Sequence, residues 1–461
     1  MKYTHIIISL FIVLFTLNSC MVGPNFQKTK IDSPDKYRFA VEPADTVINL
    51  KWWELFNDKT LVGLIDSALI NNKDIRIAAS RIEESRIYLG YTKADMYPDL
   101  TYSGTSVYGN QLKSLTNKTS ANLSATMNLS WEIDFWGKYR RANEAAKAEM
   151  LASEYGLHAV QISIINEVSN AYYALLDFKR RMDIAKRTLE SRLESTRIIQ
   201  EKFDKGTVPE IDLNQAQIQE AIAAAAIPSY ERSIAYAENA LNVLTGKSPK
   251  SIEVNTTIKD QIVPPEIPVG LPSQLLQRRP DILAAEQQVV AQNANIGIAQ
   301  AMRFPAISLT AMTGLVSFDL AAFNASNALV GSVGVGLFGP IFNFGKNKRR
   351  VEIEKERTKQ VKLNYEYTVI NAFRETEDAL VNANTLEREL KTVERQLVAA
   401  KNAAKLSKAR YNGGVTSYLE VLESERTLFQ IELYHSELMQ RRLSAYTNLY
   451  KVLGGGWTER K

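Results

Sequence analysis

The chain repeats itself at a separation of 208 residues. Asp134-Phe135-Trp136-Gly137-Lys138 returns as Ile341-Phe342-Asn343-Phe344-Gly345-Lys346, with Gly345 standing 208 positions after Gly137. Gly206-Thr207-Val208 returns at the same separation as Gly414-Val415-Thr416, and Leu241 to Gly246 returns as Leu449 to Gly454. Met96-Tyr97-Pro98 matches Arg303-Phe304-Pro305, and Asp74-Ile75 matches Asp281-Ile282, both at 207. Solenoid units have periods of about 20 to 50 residues, so this one is far too long for them. It is a duplicated half-molecule, and each half must contribute the same parts to one object.

Composition narrows the object. The 461 residues carry a formal net charge of +5, too weak to argue for nucleic acid. Cys20 is the sole cysteine, which excludes an intrachain disulfide and argues against a cysteine-based metal site. The three histidines are His5, His158 and His435. No phosphate loop, zinc-spaced pair or nucleophile motif is present. The reading is no enzyme, no cofactor and no metal, with His158 and His435 packed or solvated.

The N-terminus explains the cysteine. Lys2 precedes an apolar run from Ile6 to Leu17, too short to span a bilayer and right for a signal peptide. Leu17-Asn18-Ser19-Cys20 resembles a bacterial lipobox, which implies a signal peptide over 1–19 and a lipidated Cys20 as the new N-terminus. An ordinary cleaved signal with an incidental cysteine is the alternative. Met21 in place of Asp favours the outer membrane, by resemblance to proteobacterial sorting.

Each half has one order: helical segment, two strands, very long helix, tight turn, return helix. Lys346 to Asn412 holds neither Gly nor Pro, and Lys138 to Lys205 holds only Gly156. Both stretches are rich in good helix formers, and about 67 residues make a rod of about 100 Å. Rods of that length must pack along other helices in coiled-coil fashion. Val160, Ile164, Val168, Tyr172 and Leu175 recur at helical spacing, as do Val361, Tyr365, Val369, Phe373 and Leu380. Charged runs such as Arg349 to Lys359 read as solvated surface. Return helices are expected over about 210–245 and 417–453. Pro228 is expected to break or kink the first.

The strands carry a membrane signal. From Asn122 to Phe135, Leu123, Ala125, Met127, Leu129, Trp131, Ile133 and Phe135 fall on one face, with polar residues between them. Apolar-out, polar-in alternation over about ten residues is the transmembrane barrel pattern, and a half-buried soluble sheet is its bland alternative. Leu100 to Asn110, Ala306 to Ser317 and Leu329 to Asn343 are noisier versions, and Tyr102, Tyr108, Trp131 and Trp136 suit interfacial girdles. Four strands cannot close a barrel, and an open sheet in lipid leaves unpaired backbone groups. The barrel must therefore be shared between protomers. Two chains give a filled eight-stranded barrel, and three give twelve strands with room for a lumen.

These residues together resemble the TolC-like outer-membrane factors, in particular the lipoprotein branch serving tripartite efflux pumps. The resemblance spans essentially the whole mature chain. It rests on Trp52-Trp53 with Phe56 and Asp58, Asn72-Lys73-Asp74-Ile75 with Ala78, and Arg278-Arg279-Pro280-Asp281-Ile282 with Ala284-Ala285-Glu286. It rests also on Arg303-Phe304-Pro305-Ala306-Ile307-Ser308-Leu309 and on Arg410-Tyr411-Asn412-Gly413-Gly414-Val415. It implies a mixed α and β membrane protein: a homotrimer with a shared twelve-stranded β-barrel and a long periplasmic α-helical barrel. The parts are then 20–55 as lipidated N-terminal and equatorial segment, 56–246 as first repeat, 247–272 as equatorial linker, 273–456 as second repeat and 457–461 as tail. The equatorial belt would take in Val22 to Asn49 and Lys247 to Pro272.

The resemblance also implies sites. Leu419 and Glu423 match the periplasmic gate, and they share one helix face. Threefold symmetry would make Leu419 an apolar constriction and Glu423 an anionic ring; a merely solvated carboxylate is the alternative. Ile211 and Gln215 take those places in the first half. Gly206, Thr207 and Val208, with Gly413, Gly414 and Val415, are the tip turns, and by resemblance they dock a periplasmic adaptor. Plain hairpin chemistry also accounts for them. Arg278-Arg279-Pro280-Asp281 reads as structural. The implied function is the outer-membrane exit duct of a tripartite RND-type efflux system, lipid-anchored, reaching into the periplasm, with a periplasmic adaptor and an inner-membrane pump as partners. Ducts for metal-cation efflux or type I secretion, and a barrel-anchored coiled-coil stalk, are the alternatives.

Overall fold

The computed structural model describes residues 21–39, 52–109, 120–262, 272–317, 323, 328–455 and 457. The signal peptide, Cys20, residues 40–49 of the expected belt and residues 263–271 of the linker lie outside them. Helices α1 (Lys59–Asn71) and α2 (Lys73–Ala94) lead to strands β1 (Asp99–Gly109) and β2 (Ser120–Ile133). Helix α3 (Lys138–Asp204) and its return α4 (Glu210–Leu244) complete the first half. The second half repeats the series as α5 (Pro272–Arg278), α6 (Pro280–Ala301), β3 (Ala306–Ser317), β4 (Leu329–Phe338), α7 (Lys346–Asn412) and α8 (Tyr418–Val452). Among the described residues no helix is long and apolar enough to cross a membrane.

The duplication reaches backbone conformation. Gly137 and Gly345 both have φ of 79°, Gly206 and Gly414 have 69° and 73°, and Gly246 and Gly454 have 71° and 72°. The last two pairs end helices in the same way. Gly206 N donates to Phe203 O and Thr207 N to Lys202 O, while Gly414 N donates to Tyr411 O and Val415 N to Arg410 O. This is the Schellman pattern, in which a left-handed residue satisfies the last carbonyls of the helix. A side chain at any of these six positions would be strained.

Some expectations shift, among them the end of β2, which stops at Ile133 rather than Phe135. β4 stops at Phe338 rather than Asn343, because Gly339-Pro340 follows and proline has no N–H to give a ladder. Of the expected break or kink at Pro228 there is no break, since α4 is continuous through it. Proline removes one hydrogen bond, but Ala226, Ile227 and Tyr230 on either side pack against Ile184, Ala185 and Phe429.

Two compact units emerge, and each draws on both halves. One comprises residues 1–31, 81–154 and 284–367; the other comprises 32–80, 155–283 and 368–461. The first contains an antiparallel sheet in the order β1-β2-β3-β4. Its registers align Leu100, Leu129, Ala311 and Val333 in one row. Trp131, Leu309 and Val335 form another, and Ile133, Ile307 and Leu337 a third. Asn128, Thr126, Ser130 and Glu132 face the other way with Ser103, Thr310 and Ser308. The indole N–H groups of Trp131 and Trp136 donate to Met96 O at 2.9 Å and Pro305 O at 2.8 Å. Those carbonyls lie in the matching Met96-Tyr97-Pro98 and Arg303-Phe304-Pro305 strings, so the two tryptophans fasten the strand ends.

The second unit is centred on Trp53, Phe56, Leu61, Ile65, Tyr172, Tyr173, Leu241 and Leu443. Asp58 organises its edge. One carboxylate oxygen accepts from Thr60 N at 2.8 Å and Leu61 N at 3.2 Å, capping α1. The other accepts from the Tyr172 hydroxyl at 2.7 Å and Gln261 Nε2 at 2.8 Å. Asn72 caps α2 through Asp74 N and Ile75 N and donates to Leu244 O. Arg279 spans Asp281, Glu375 and the Val452 carbonyl at 2.6 to 3.3 Å. Trp457 donates to Arg278 O and stacks on His158 at 4.9 Å. These motif residues are structural, as read for Arg279. Asp58→Ala strips a cap and orphans a buried tyrosine hydroxyl, so it should destabilise the fold by about 3 kcal/mol, read as a lowered midpoint in denaturant unfolding.

Candidate functional site at the helical tips

The two hairpin tips of one chain lie together. Ile199 of α3 and Leu213 and Ala216 of α4 form a buried cluster with Tyr418, Val421 and Leu422 of α8, edged by Phe203, Val208 and Tyr411. The rings of Tyr411 and Tyr418 are 5.4 Å apart. Lys202 Nζ sits 4.3 Å over the Tyr411 ring and 3.3 Å from its hydroxyl. Arg410 lies 3.5 Å from Glu420, which accepts from the Thr416 hydroxyl. The expected tip residues thus divide. Gly206, Thr207, Gly413, Gly414 and Val415 are exposed, whereas Val208 turns into the cluster.

Leu419 and Glu423 are placed as one helix face predicts. Tyr418, Val421 and Leu422 point into the cluster, so Leu419 points away and is 59 % exposed. Ile211, its match in the first half, is 57 % exposed. Glu423 is exposed too, but it is not a lone carboxylate: Arg426 Nη2 donates to it at 2.5 Å. A ring of Glu423 residues would therefore carry a compensating ring of Arg426. The i, i+3 spacing was visible in the sequence; the choice of rotamer was not.

Further along the same unit lie Arg192 and Glu425, which sequence patterning did not single out, and His435, read as packed or solvated. The Arg192 guanidinium lies 5.1 Å over the Phe429 ring and donates to Gln219 O. Burial pushes the neighbouring Glu425 carboxyl up, against the pull of Lys408 and Arg192. His435 is buried, and Arg180 Nη2 lies 3.3 Å from its Nδ1. Arginine has no acceptor, so Nδ1 must be the unprotonated nitrogen. Burial, then the charges of Arg180, Lys259 and Lys401, hold His435 down at about 4 from an ordinary 6.5. The unfolded chain accepts a proton at 6.5 that the fold refuses until about 4. The stability from neutral His435 is therefore complete above pH 6.5 and is lost as pH falls to about 4. His435→Gln should flatten the fall in thermal unfolding midpoint between pH 6.5 and 4; an unchanged slope would assign the acid sensitivity elsewhere.

The comparisons with known proteins agree on one group. The family described as outer membrane efflux protein matches residues 64–247 and 271–455, the two halves separately. The chain is 33 % identical over 454 residues to the cation efflux system protein CusC of Escherichia coli O6:H1, covering 97 % of this chain and 98 % of that one. It is 32 % identical over 482 residues to the toluene efflux pump outer membrane protein TtgC of Pseudomonas putida, covering 99 % and 96 %. The solved outer-membrane channel OprN superposes with a TM-score of 0.88 at 28 % identity, over 95 % of this chain and all of that one.

Proposed function

The chain belongs to the outer membrane efflux protein family, and on that premise we propose that it is a passive exit duct closed at its periplasmic tips and joined there to an energised pump. Three chains share one twelve-stranded barrel in the outer membrane, below which the helices form a periplasmic barrel. The observation that carries the duct reading is the sheet itself. Apolar side chains predominate on one face and Ser, Thr and Asn on the other, and in the sheet β1 and β4 each pair along one edge only. Twelve such strands enclose a lumen lined by the polar rows.

In this reading the exposed face of α8 closes the duct. Leu419 from three chains makes an apolar constriction, and Glu423 with Arg426 makes a ring of ion pairs beside it. Lipid on Cys20 holds the N-terminus at the membrane. The tip turns around Gly206, Thr207, Gly413, Gly414 and Val415 take the adaptor, which links the duct to an inner-membrane pump of RND type. Val208 supports the tip core instead. Cargo is the pump's choice in this reading, since relatives named for cation and for toluene efflux are 33 % and 32 % identical to this chain.

Conductance in planar bilayers tests the gate. The wild-type trimer should conduct weakly, and Leu419→Ala with Glu423→Ala should raise conductance severalfold. Wild-type conductance in that double variant would discard the assignment. Glu423→Ala alone leaves three uncompensated Arg426 cations, so reversal potentials should move toward anion preference. At the tips, Val415→Asp buries no new group within the chain, and it should weaken adaptor capture by about tenfold, some 1.4 kcal/mol, with trimer content unchanged.

A further inference from the structure

In the unit that holds the sheet, the helices follow the order of the strands. α2 packs on α3 through Ser85–Ser153 and Thr92–Asn143. α3 packs on α6 through Ala145, Ala148, Ala291 and Ala294. α6 packs on α7 through Gln292–Glu354 and Asn347–Met302. α2 and α7 are thus the outer helices, as β1 and β4 are the outer strands.

The α3/α6 junction is tightly built. The Arg141 side chain is 1 % exposed and lies across Gly297, where an added Cβ would meet its Cγ, Cδ and Nε at 2.8 Å. It donates to Val22 O, Gly23 O, the Asn25 side chain and Glu144. The repeat copies its parts: Gly90 stands 207 before Gly297, and Arg349 and Glu352 stand 208 after Arg141 and Glu144. Among the described residues these copies meet nothing comparable. A Cβ on Gly90 would find no atom within 4 Å, and Arg349 is exposed. The flanking pair repeats the contrast. Ala294 and Ala145 are 0 % and 6 % exposed, whereas their matches Ile87 and Ile353 are 65 % and 51 %. Isoleucines on facing outer helices are what a buried interface uses and what a solvated surface avoids.

We propose that Arg349 of one protomer seats over Gly90 of the next, bringing α7 against α2 and Ile353 against Ile87. The inference rests on the shared barrel of the proposed function, whose closure brings the outer elements of neighbouring chains together. Glycine at 90 then has a reason: the arginine stem occupies the space that a Cβ would fill. The copied junction has no strap, because the segment 22–25 has no counterpart 208 residues later in a loop; those positions fall inside α4.

Cysteine cross-linking of the full-length trimer in detergent tests the contact. Gly90→Cys with Arg349→Cys, oxidised with copper phenanthroline, should give covalent dimers and trimers on a non-reducing gel. Either single variant should give none, which controls for Cys20. Arg141→Cys with Gly297→Cys should close within the chain and give no ladder. Intact trimers without a ladder in the first pair would overturn the contact while leaving the trimer standing. Should that pair fail to assemble, a benzophenone amino acid at position 90 alone decides. An adduct on 345–357 of another protomer supports the contact, and an adduct elsewhere or none overturns it.

Discussion

Everything in this molecule follows from backbone hydrogen bonds that one chain cannot make. β1 presents eleven residues and β4 ten along edges with no partner in the sheet. In water such edges are tolerable; in hydrocarbon each unpaired group costs several kcal/mol. A single chain is therefore barred from the bilayer, and assembly is the condition for insertion. The apolar rows across the sheet show that the bilayer is where this face belongs, since Leu100, Val333, Val335 and Leu337 are 66 to 78 % exposed on the chain alone. The same closure that pairs the strands gathers the long helices below them, so the tunnel is a consequence of the barrel.

The duplication makes this economical, and the departures from it show what each half must do alone. Six glycines with positive φ hold identical reversals and joints in the two halves. Between those fixed points the return helices diverge. Pro228 of α4 is exposed, while Ser436, 208 residues on, is fully buried and donates to Asp177 at 2.5 Å. α8 buries Phe429, Ile431, Leu438, Leu443 and Leu449, and α4 buries little beyond Leu213, Ala216, Ala223 and Leu241. A helix with that much core on one face and Leu419 and Glu423 on another is constrained on both sides. Pro228 lies on the exposed side of α4, so its ring meets no core there and its neighbours keep their packing.

Periodicity made the elements legible. Alternation over residues 122–135 located a strand to within two residues at each end, and the Gly-free run from 346 to 412 located a rod to the residue, because each signal is long and uninterrupted. Side-chain pairing was not legible in the same way. Arg426 beside Glu423, Lys202 over Tyr411 and Arg180 beside His435 join residues on rotamers or on segments far apart in sequence. Composition lists such residues as surface charge, and only three-dimensional packing tells a solvated arginine from Arg141, which is nearly inaccessible. Asp58 shows the middle case. The motif marked it, but its capping of α1 and the bonds from Tyr172 and Gln261 required the fold.

The N-terminal segment sets the true symmetry of the assembly. Strand pairs and helical hairpins occur twice per chain, so three chains approach sixfold order. Val22 to Asn25 occurs once. It fills the α3/α6 junction, where Gly23 approaches Gly297 so closely that a Cβ on Gly23 would lie 2.5 Å from the Gly297 Cα, and Asn293 donates to Pro24 O. No second copy of it exists to fill the junction that Arg349 and Gly90 would form. In the proposed trimer, three of six like junctions are strapped within a chain and three would be left to contacts between chains. The former use Ala against Ala and a buried arginine satisfied by carbonyls; the latter must use Ile against Ile and an arginine with no strap to bind. Bulkier side chains separate helix axes more than alanines do. On the proposed contact, the junction between chains would set its helix axes further apart than the alanine-lined junction within a chain.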